Sequence, residues 1–139
     1  MKIHTTNYTL TFIETADDCL ANRGTTPPKN DETRSIAAMQ FDLLAGNPYK
    51  YTSDDIIFKV FAERNDLTPE EQESARKEFF SKGQACMRSS PLTKRYGWGV
   101  HHDQEGRIAI YGVETEEYQH FLNDPEIKKV KAMRSKRQN

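Results

Sequence analysis

Two runs of β-forming residues meet at a short polar turn between residues 97 and 113. Residues 103 to 106 form the turn, and Gly106 is placed to adopt the positive φ that closes a hairpin loop. Side chains of the first run alternate between two faces, with Trp98, Val100 and His102 on one and Gly97, Gly99 and His101 on the other. This alternation directs one face of the hairpin towards a core.

The N-terminal segment from residue 3 to residue 14 predicts a further strand, because it is rich in Thr, Tyr, Phe and Ile. Within it Tyr8, Leu10 and Phe12 alternate with threonines. The strand and the hairpin together predict one small antiparallel sheet.

Helix signals fill much of the remaining chain. Ser35 is a possible N-cap for a first helix, and Thr52 or Ser53 for a second. The third helix has the strongest start, since Thr68 and Glu71 have the spacing of a capping box. These starts predict three helices that cover one face of the sheet.

Two shorter helical segments are predicted after the hairpin. Thr115 opens a short helix, and Pro125 is placed to start one more turn or two through Ile127 and Val130. The predicted fold class is therefore α+β, a small antiparallel sheet packed against three or four helices.

At 139 residues the chain is long enough for one domain with its own core, which we place at residues 1 to 130. Residues 16 to 34 read as a long loop, because Pro27 and Pro28 exclude helix and disfavour strand there. A loop of that length is usually functional or mobile, and the composition favours a mobile one. Residues 131 to 139 are expected to form a basic, frayed tail.

The net charge of −1 conceals an asymmetry along the chain. Residues 128 to 139 carry six positive charges and no acid, so the other 127 residues carry −7. No apolar run is long enough to span a bilayer, and the polar start has no signal-peptide pattern. We expect a cytoplasmic protein with no membrane partner, in which Cys19 and Cys86 are free thiols.

Several segments are typical of a known family. They are residues 48 to 55 and 88 to 99, together with the start at residues 5 to 8 and the end at residues 131 to 137. With these segments the chain resembles, over nearly its full length, a family of uncharacterised bacterial proteins of similar length that are assigned to a domain of unknown function. The resemblance implies membership of that family and carries no activity, cofactor or catalytic residue.

The residues that could ligate a metal or attack a substrate do not form a known motif. His101 and His102 are neighbours on a strand and point to opposite faces, so we expect no metal, and no cofactor fingerprint is present. Cys86 lies near Arg88, which favours a reactive thiol. A small hydrolase or transferase with Cys86 or His101 in its site is therefore one alternative.

Residues 89 to 101 combine hydroxyls, positive charge and flat aromatic rings. This combination suits a phosphate with an attached ring, as in a nucleotide or single-stranded nucleic acid. The candidate ligand-binding residues are Ser89, Ser90, Thr93, Lys94, Arg95, Tyr96, Trp98 and His101. The alternative interpretation is that Ser90 starts a helical turn and that Tyr96 and Trp98 belong to the core.

The sequence thus favours a binding domain for a small phosphorylated or anionic ligand. A second hypothesis is an interaction module whose basic tail docks on an acidic protein partner or on nucleic acid. The enzyme with Cys86 or His101 is the third.

Overall fold

The computed structural model describes residues 3–29 and 35–136. Within them the chain forms four strands and five α-helices, which confirms the α+β class. The strands are β1 (Thr11–Glu14), β2 (Trp98–His102), β3 (Ile108–Gly112) and β4 (Lys128–Lys131). The helices are α1 (Ile36–Leu44), α2 (Ser53–Arg64), α3 (Pro69–Phe79), α4 (Pro91–Lys94) and α5 (Glu116–Asn123), and a short 3₁₀ helix spans Met87–Ser89.

The four strands make one mixed sheet in the order β3-β2-β1-β4. The predicted hairpin is β2 and β3, and β1 adds to it antiparallel, with Ile13 opposite Val100. The predicted joining of the N-terminal strand and the hairpin in one sheet is therefore confirmed. The strand itself is shorter than predicted, because residues 5 to 7 make hydrogen bonds to α2 in place of a strand partner.

The helical turn predicted through Ile127 and Val130 is wrong. Residues 128 to 131 form β4, which pairs parallel to β1 with Val130 opposite Ile13. The backbone N–H of Lys128 donates to the carbonyl of Leu10 over 2.9 Å. Pro125 favours a helix start locally, but the open edge of β1 provides a ladder of backbone partners that a single helical turn cannot match. The sheet is consequently mixed and not antiparallel throughout.

Apolar side chains pack on both faces of the sheet. On one face, Ile13, Val100 and Ile108 pack with side chains of α1, α2 and α4 in the main core. On the other face, Phe12 packs against Tyr118 of α5. The third helix, α3, joins α2 in a separate small cluster around Phe58 and Phe80, so it covers α2 and not the sheet as predicted.

Residues 131 to 136, the start of the predicted frayed tail, contact the body of the protein. Ala132 is buried, and the backbone N–H of Met133 donates to the carbonyl of Arg88. Lys131 pairs with Asp17, and the Asp18 carboxylate accepts hydrogen bonds from two backbone N–H groups at residues 135 and 136. This differs from the prediction, and residues 137–139 lie outside the described residues.

The described part of the long loop, residues 16 to 29, is held against the sheet. The N–H of Thr25 donates to the carbonyl of Tyr96 over 2.9 Å, and the carbonyl of Thr25 accepts from the Trp98 indole over 2.8 Å. Pro27 is fully buried. The rest of the predicted mobile loop, residues 30 to 34, lies outside the described residues.

This packing supports a prediction at Gly97, which has a φ of +81°. A Cβ atom there would lie 2.2 Å from the carbonyl oxygen of Arg23, whereas a Cβ at Gly46, with a φ of +82°, would meet nothing within 4 Å. Left-handed strain alone should make Gly46→Ala cost about 1 kcal/mol. Gly97→Ala must also displace the loop, so we expect a loss of about 2 kcal/mol or more in urea unfolding. Equal losses for the two variants would mean that the loop does not resist displacement.

Among the described residues, no helix combines the length and apolar character needed to cross a membrane.

Candidate functional site

A cleft of about 620 Å³ opens between α1, α2 and the segment from residue 84 to residue 91. We call it the α1–α2 cleft. Its volume lies within the range of small-molecule sites, about 300 to 1,000 Å³. The apolar side chains that line it are Ile36, Ile57, Val60, Phe61, Phe79, Ala85 and Pro91. The polar ones are Gln40, Arg64, Asn65, Gln84, Cys86, Ser89 and Ser90.

Helix spacing places these groups on one side of each helix. Ile36 and Gln40 are one turn apart on α1, which begins after the Ser35 N-cap. On α2, Ile57, Val60 and Arg64 follow the same spacing. Arg64 therefore ends an apolar stripe, in the last helical turn where the helix dipole favours a cation.

The side-chain amide of Gln40 lies in the wall of the cleft, and only its oxygen forms a hydrogen bond with the described residues. Gln40 is only 6% exposed, and its amide oxygen accepts a hydrogen bond from the Ser90 hydroxyl. The amide nitrogen has no hydrogen-bond partner among the residues that the structure describes. Because Gln40 lines the cleft and this nitrogen is not one of the fully buried atoms that lack a partner, it can donate to an acceptor bound in the cleft.

A second hollow of about 470 Å³ adjoins the first, since Ile36, Arg64 and Pro91 line both. It adds Arg95, the C-cap residue that follows α4, and Tyr96. Neither Arg64 nor Arg95 forms an ion pair with a carboxylate of residues 3–29 or 35–136. The joined hollows therefore combine an apolar wall with two guanidinium groups.

Cys86 lies at the edge of the cleft beside a phenol. Its Sγ is 3.4 Å from the hydroxyl oxygen of Tyr8. Burial, followed by the hydrogen bond with Cys86, raises the pKa of Tyr8. The Arg88 guanidinium also faces this hydroxyl and opposes the shift. Tyr8 thus stays protonated at neutral pH and can donate to the sulfur.

Four of the eight candidate residues from the sequence line the two hollows: Ser89, Ser90, Arg95 and Tyr96. The Ser90 hydroxyl is also occupied structurally, since it caps α4 by accepting from the N–H of Leu92. The structure therefore brings only half of the predicted ligand-binding residues together in the two hollows.

The other four candidates lie elsewhere. Thr93 is fully buried and its hydroxyl donates to the carbonyl of Met87 over 2.8 Å. Lys94 is half-buried at the end of α4 and lines neither hollow. Trp98 packs against Phe41 and the main core, and its indole N–H donates to the carbonyl of Thr25. For Trp98 the core interpretation is the one that the structure supports.

His101 faces the opposite side of the sheet, towards α5. Its ring stacks on Phe121 with centroids 4.1 Å apart, and its Nδ1 lies 2.9 Å from the hydroxyl of Tyr49. Burial lowers the pKa of His101. Since Cys86 lies on the α1–α2 side, the structure does not bring together the cysteine and the histidine of the enzyme hypothesis.

Sequence reasoning missed Gln40 and Arg64. Both lie far in sequence from residues 89 to 101, and no motif marks them. The available signal was the helical stripe of α2, in which a cation at position 64 continues the spacing of Ile57 and Val60. Within residues 3–29 and 35–136, no group of three or more His, Cys, Asp or Glu side chains is arranged to hold a metal ion.

Comparison with known proteins gave one match. The family described as "Family of unknown function (DUF6157)" matches residues 3–138. No curated protein and no solved structure matched the chain.

Proposed function

The chain belongs to the family of unknown function DUF6157, and from the geometry of the α1–α2 cleft we propose that the protein binds a small organic anion with an apolar part. A nucleotide-like phosphate is one such ligand. The observation that carries the proposal is the meeting of Arg64 and Arg95 with an apolar wall in adjoining hollows.

The acidic group of the ligand would lie near the arginines. A guanidinium binds carboxylate or phosphate through two parallel hydrogen bonds, and it does so best where no internal carboxylate competes. The shared wall contains Arg64, so one anion can approach it from either hollow. The charge of the site therefore selects against neutral and cationic molecules.

The apolar part of the ligand would contact the stripe of α2. Phe61 and Phe79 offer aromatic surface, with ring centroids 4.6 Å apart. Beside them the Gln40 amide nitrogen can donate to a carbonyl or ring nitrogen. These groups support a ligand of mixed character over a simple inorganic ion.

The basic tail is less suited to this role. Lys131 is paired with Asp17, and the ammonium group of Lys129 is bound by the carbonyl of Asp124. These internal contacts occupy two of the ammonium groups that the interaction-module hypothesis assigns to binding a partner.

Fluorescence titration with anilinonaphthalene sulfonate tests the proposal, because this dye is an aromatic anion of suitable size. We expect saturable binding, and we expect Arg64→Ala to weaken it about tenfold, the value of one charge-assisted hydrogen bond. Phenylnaphthylamine is nearly the same molecule without the sulfonate. Its binding should be unchanged in the variant.

Lys128→Ala is the matched control, since it removes an exposed positive charge on β4 that lines neither hollow. It should leave binding of both dyes as in the wild type. The proposal fails if Arg64→Ala and Lys128→Ala weaken binding of the sulfonate dye equally. It also fails if the neutral dye loses as much affinity for Arg64→Ala as the anionic dye does.

A further inference from the structure

The surroundings of Cys86 differ from those of the other cysteine. Cys86 lines the α1–α2 cleft, and its sulfur is next to the Tyr8 hydroxyl, which the Arg88 guanidinium also approaches. Cys19, also half-buried, packs against the main core and does not line the cleft. Reactive thiols occur in partly exposed, electropositive surroundings of the first kind.

The position of Tyr8 is set by packing. Its ring lies edge-on against the buried ring of His102, with centroids 5.3 Å apart. The phenol is therefore held where its O–H can donate to the sulfur.

A second observation in the same cleft indicates a ligand. Gln40 is more than nine-tenths buried, its amide oxygen accepts from the Ser90 hydroxyl, and its amide nitrogen has no partner among the described residues and remains free to donate into the cleft. Gln40, Arg64 and Cys86 line one cleft, so a molecule bound to the amide and the guanidinium shares that cleft with the thiol.

We propose that Cys86 forms a mixed disulfide with small disulfides that carry carboxylates, which the cleft recruits through Arg64. This inference rests on the proposed function, since it needs the cleft to attract an organic anion. It adds a reaction, thiol–disulfide exchange, and a ligand class, the acidic disulfide.

The reaction balances without a further oxidant. Cys86 first loses its proton to water, and the thiolate attacks one sulfur of the disulfide. The bond between the two ligand sulfurs breaks and the second sulfur leaves as a thiolate with the bonding pair. Cys86 is oxidised to the mixed disulfide, while one half of the ligand is reduced to a free thiolate.

Two reagents of different charge test the proposal on the full chain. Dithiobisnitrobenzoate is an aromatic disulfide with two carboxylates, and dithiodipyridine is an aromatic disulfide without charge. In Cys19→Ser, which retains Cys86, we expect the anionic reagent to react about tenfold faster than in Cys86→Ser, which retains Cys19. The release of the coloured thiolate gives the rate directly.

Two further substitutions test separately the positive charge of Arg64 and the Tyr8 hydroxyl beside the Cys86 sulfur. Adding Arg64→Ala to Cys19→Ser should slow the anionic reagent about tenfold and leave the neutral one unchanged. Tyr8→Phe should slow both reagents, because it acts on the sulfur and keeps the ring against His102. The proposal is overturned if Cys86 reacts no faster than Cys19, or if Arg64→Ala changes both reagents alike.

The dye titration separates a failure of the exchange reaction from a failure of the proposed function on which it rests. Cys19→Ser, which leaves every lining residue of the cleft in place, should bind anilinonaphthalene sulfonate as the wild type does. If the dye shows its dependence on Arg64 while the disulfides show no charge preference, the exchange reaction alone is rejected. If the dye also fails, both proposals are rejected.

Discussion

Replacing His102 with leucine is expected to remove the acid sensitivity that a buried imidazole contributes to this fold between pH 6.5 and about 4. His102 is 0% exposed, and neither ring nitrogen has a hydrogen-bond partner among the described residues. Burial lowers the pKa of His102 from 6.5 to about 4. The carbonyls of Thr11 and Val100 oppose this shift without completing a hydrogen bond, and their effect is smaller than that of burial.

The direction in which stability changes with pH follows from whether the folded or the unfolded state binds the proton. Above pH 6.5 the imidazole is neutral in both states, and stability does not depend on it. Between pH 6.5 and about 4 the unfolded chain binds a proton that the folded chain refuses, so stability falls with falling pH. A shift of this size corresponds to about 3 kcal/mol lost over that window.

Urea unfolding of both proteins across that window measures this contribution. His101 and the carboxylates remain in the variant, so the difference between the two curves isolates His102. At neutral pH the variant should be as stable as the wild type or more stable, because leucine leaves no unpaired ring nitrogen. Parallel curves between pH 6.5 and 4 would contradict the assignment.

Asp54→Ala is expected to lower the free energy of unfolding by about 3 kcal/mol, since it leaves the buried N–H and hydroxyl of Thr6, and the hydroxyl of the exposed Thr5, without this acceptor. The Asp54 carboxylate is 9% exposed and accepts three hydrogen bonds of 2.7 Å. The donors are the hydroxyl of Thr5 and both the hydroxyl and the N–H of Thr6. This carboxylate therefore attaches the N-terminal segment to the first turn of α2.

Glu70→Ala is the matched control, because Glu70 is an exposed acid in the first turn of α3. Its loss should stay within about 0.5 kcal/mol, as for most surface substitutions. Asp54→Asn keeps one acceptor oxygen and should fall between the two. If Asp54→Ala costs no more than Glu70→Ala in the same urea experiment, the attachment contributes nothing to stability.

Local chemistry made several elements predictable from sequence. Thr68 and Glu71 form both hydrogen bonds of the capping box, and α3 begins at the proline between them. Gly106 takes its positive φ in the hairpin turn. In each case the deciding interactions lie within a few residues, so the sequence pattern contains them.

The end of the chain shows where local reasoning fails. Pro125 and the apolar residues after it fit a helical turn, yet residues 128 to 131 form a strand. Its partner, β1, lies more than a hundred residues away in sequence, so no local pattern reveals the pairing. The same distance separates Asp18 from the backbone of residues 135 and 136, which holds the start of the tail.

The candidate site was predictable only in part, for the same reason. Residues 89 to 101 carried a visible concentration of charge and aromatic rings, and Arg95 and Tyr96 do line a hollow. The sequence placed His101 on the face opposite Trp98, but it did not show that the Trp98 face packs against the main core or that the His101 face meets α5. Strand alternation separates neighbouring side chains, but which face meets which layer depends on the packing of the helices.

By itself the sequence determined the α+β class, the hairpin, the helix starts and the family, because capping, turn chemistry and side-chain periodicity are short-range properties. The tertiary structure decided the parallel strand β4, the attachment at Asp54 and the α1–α2 cleft. Each of these depends on groups brought together from distant parts of the chain by burial of apolar surface, an interaction without direction that no local pattern records.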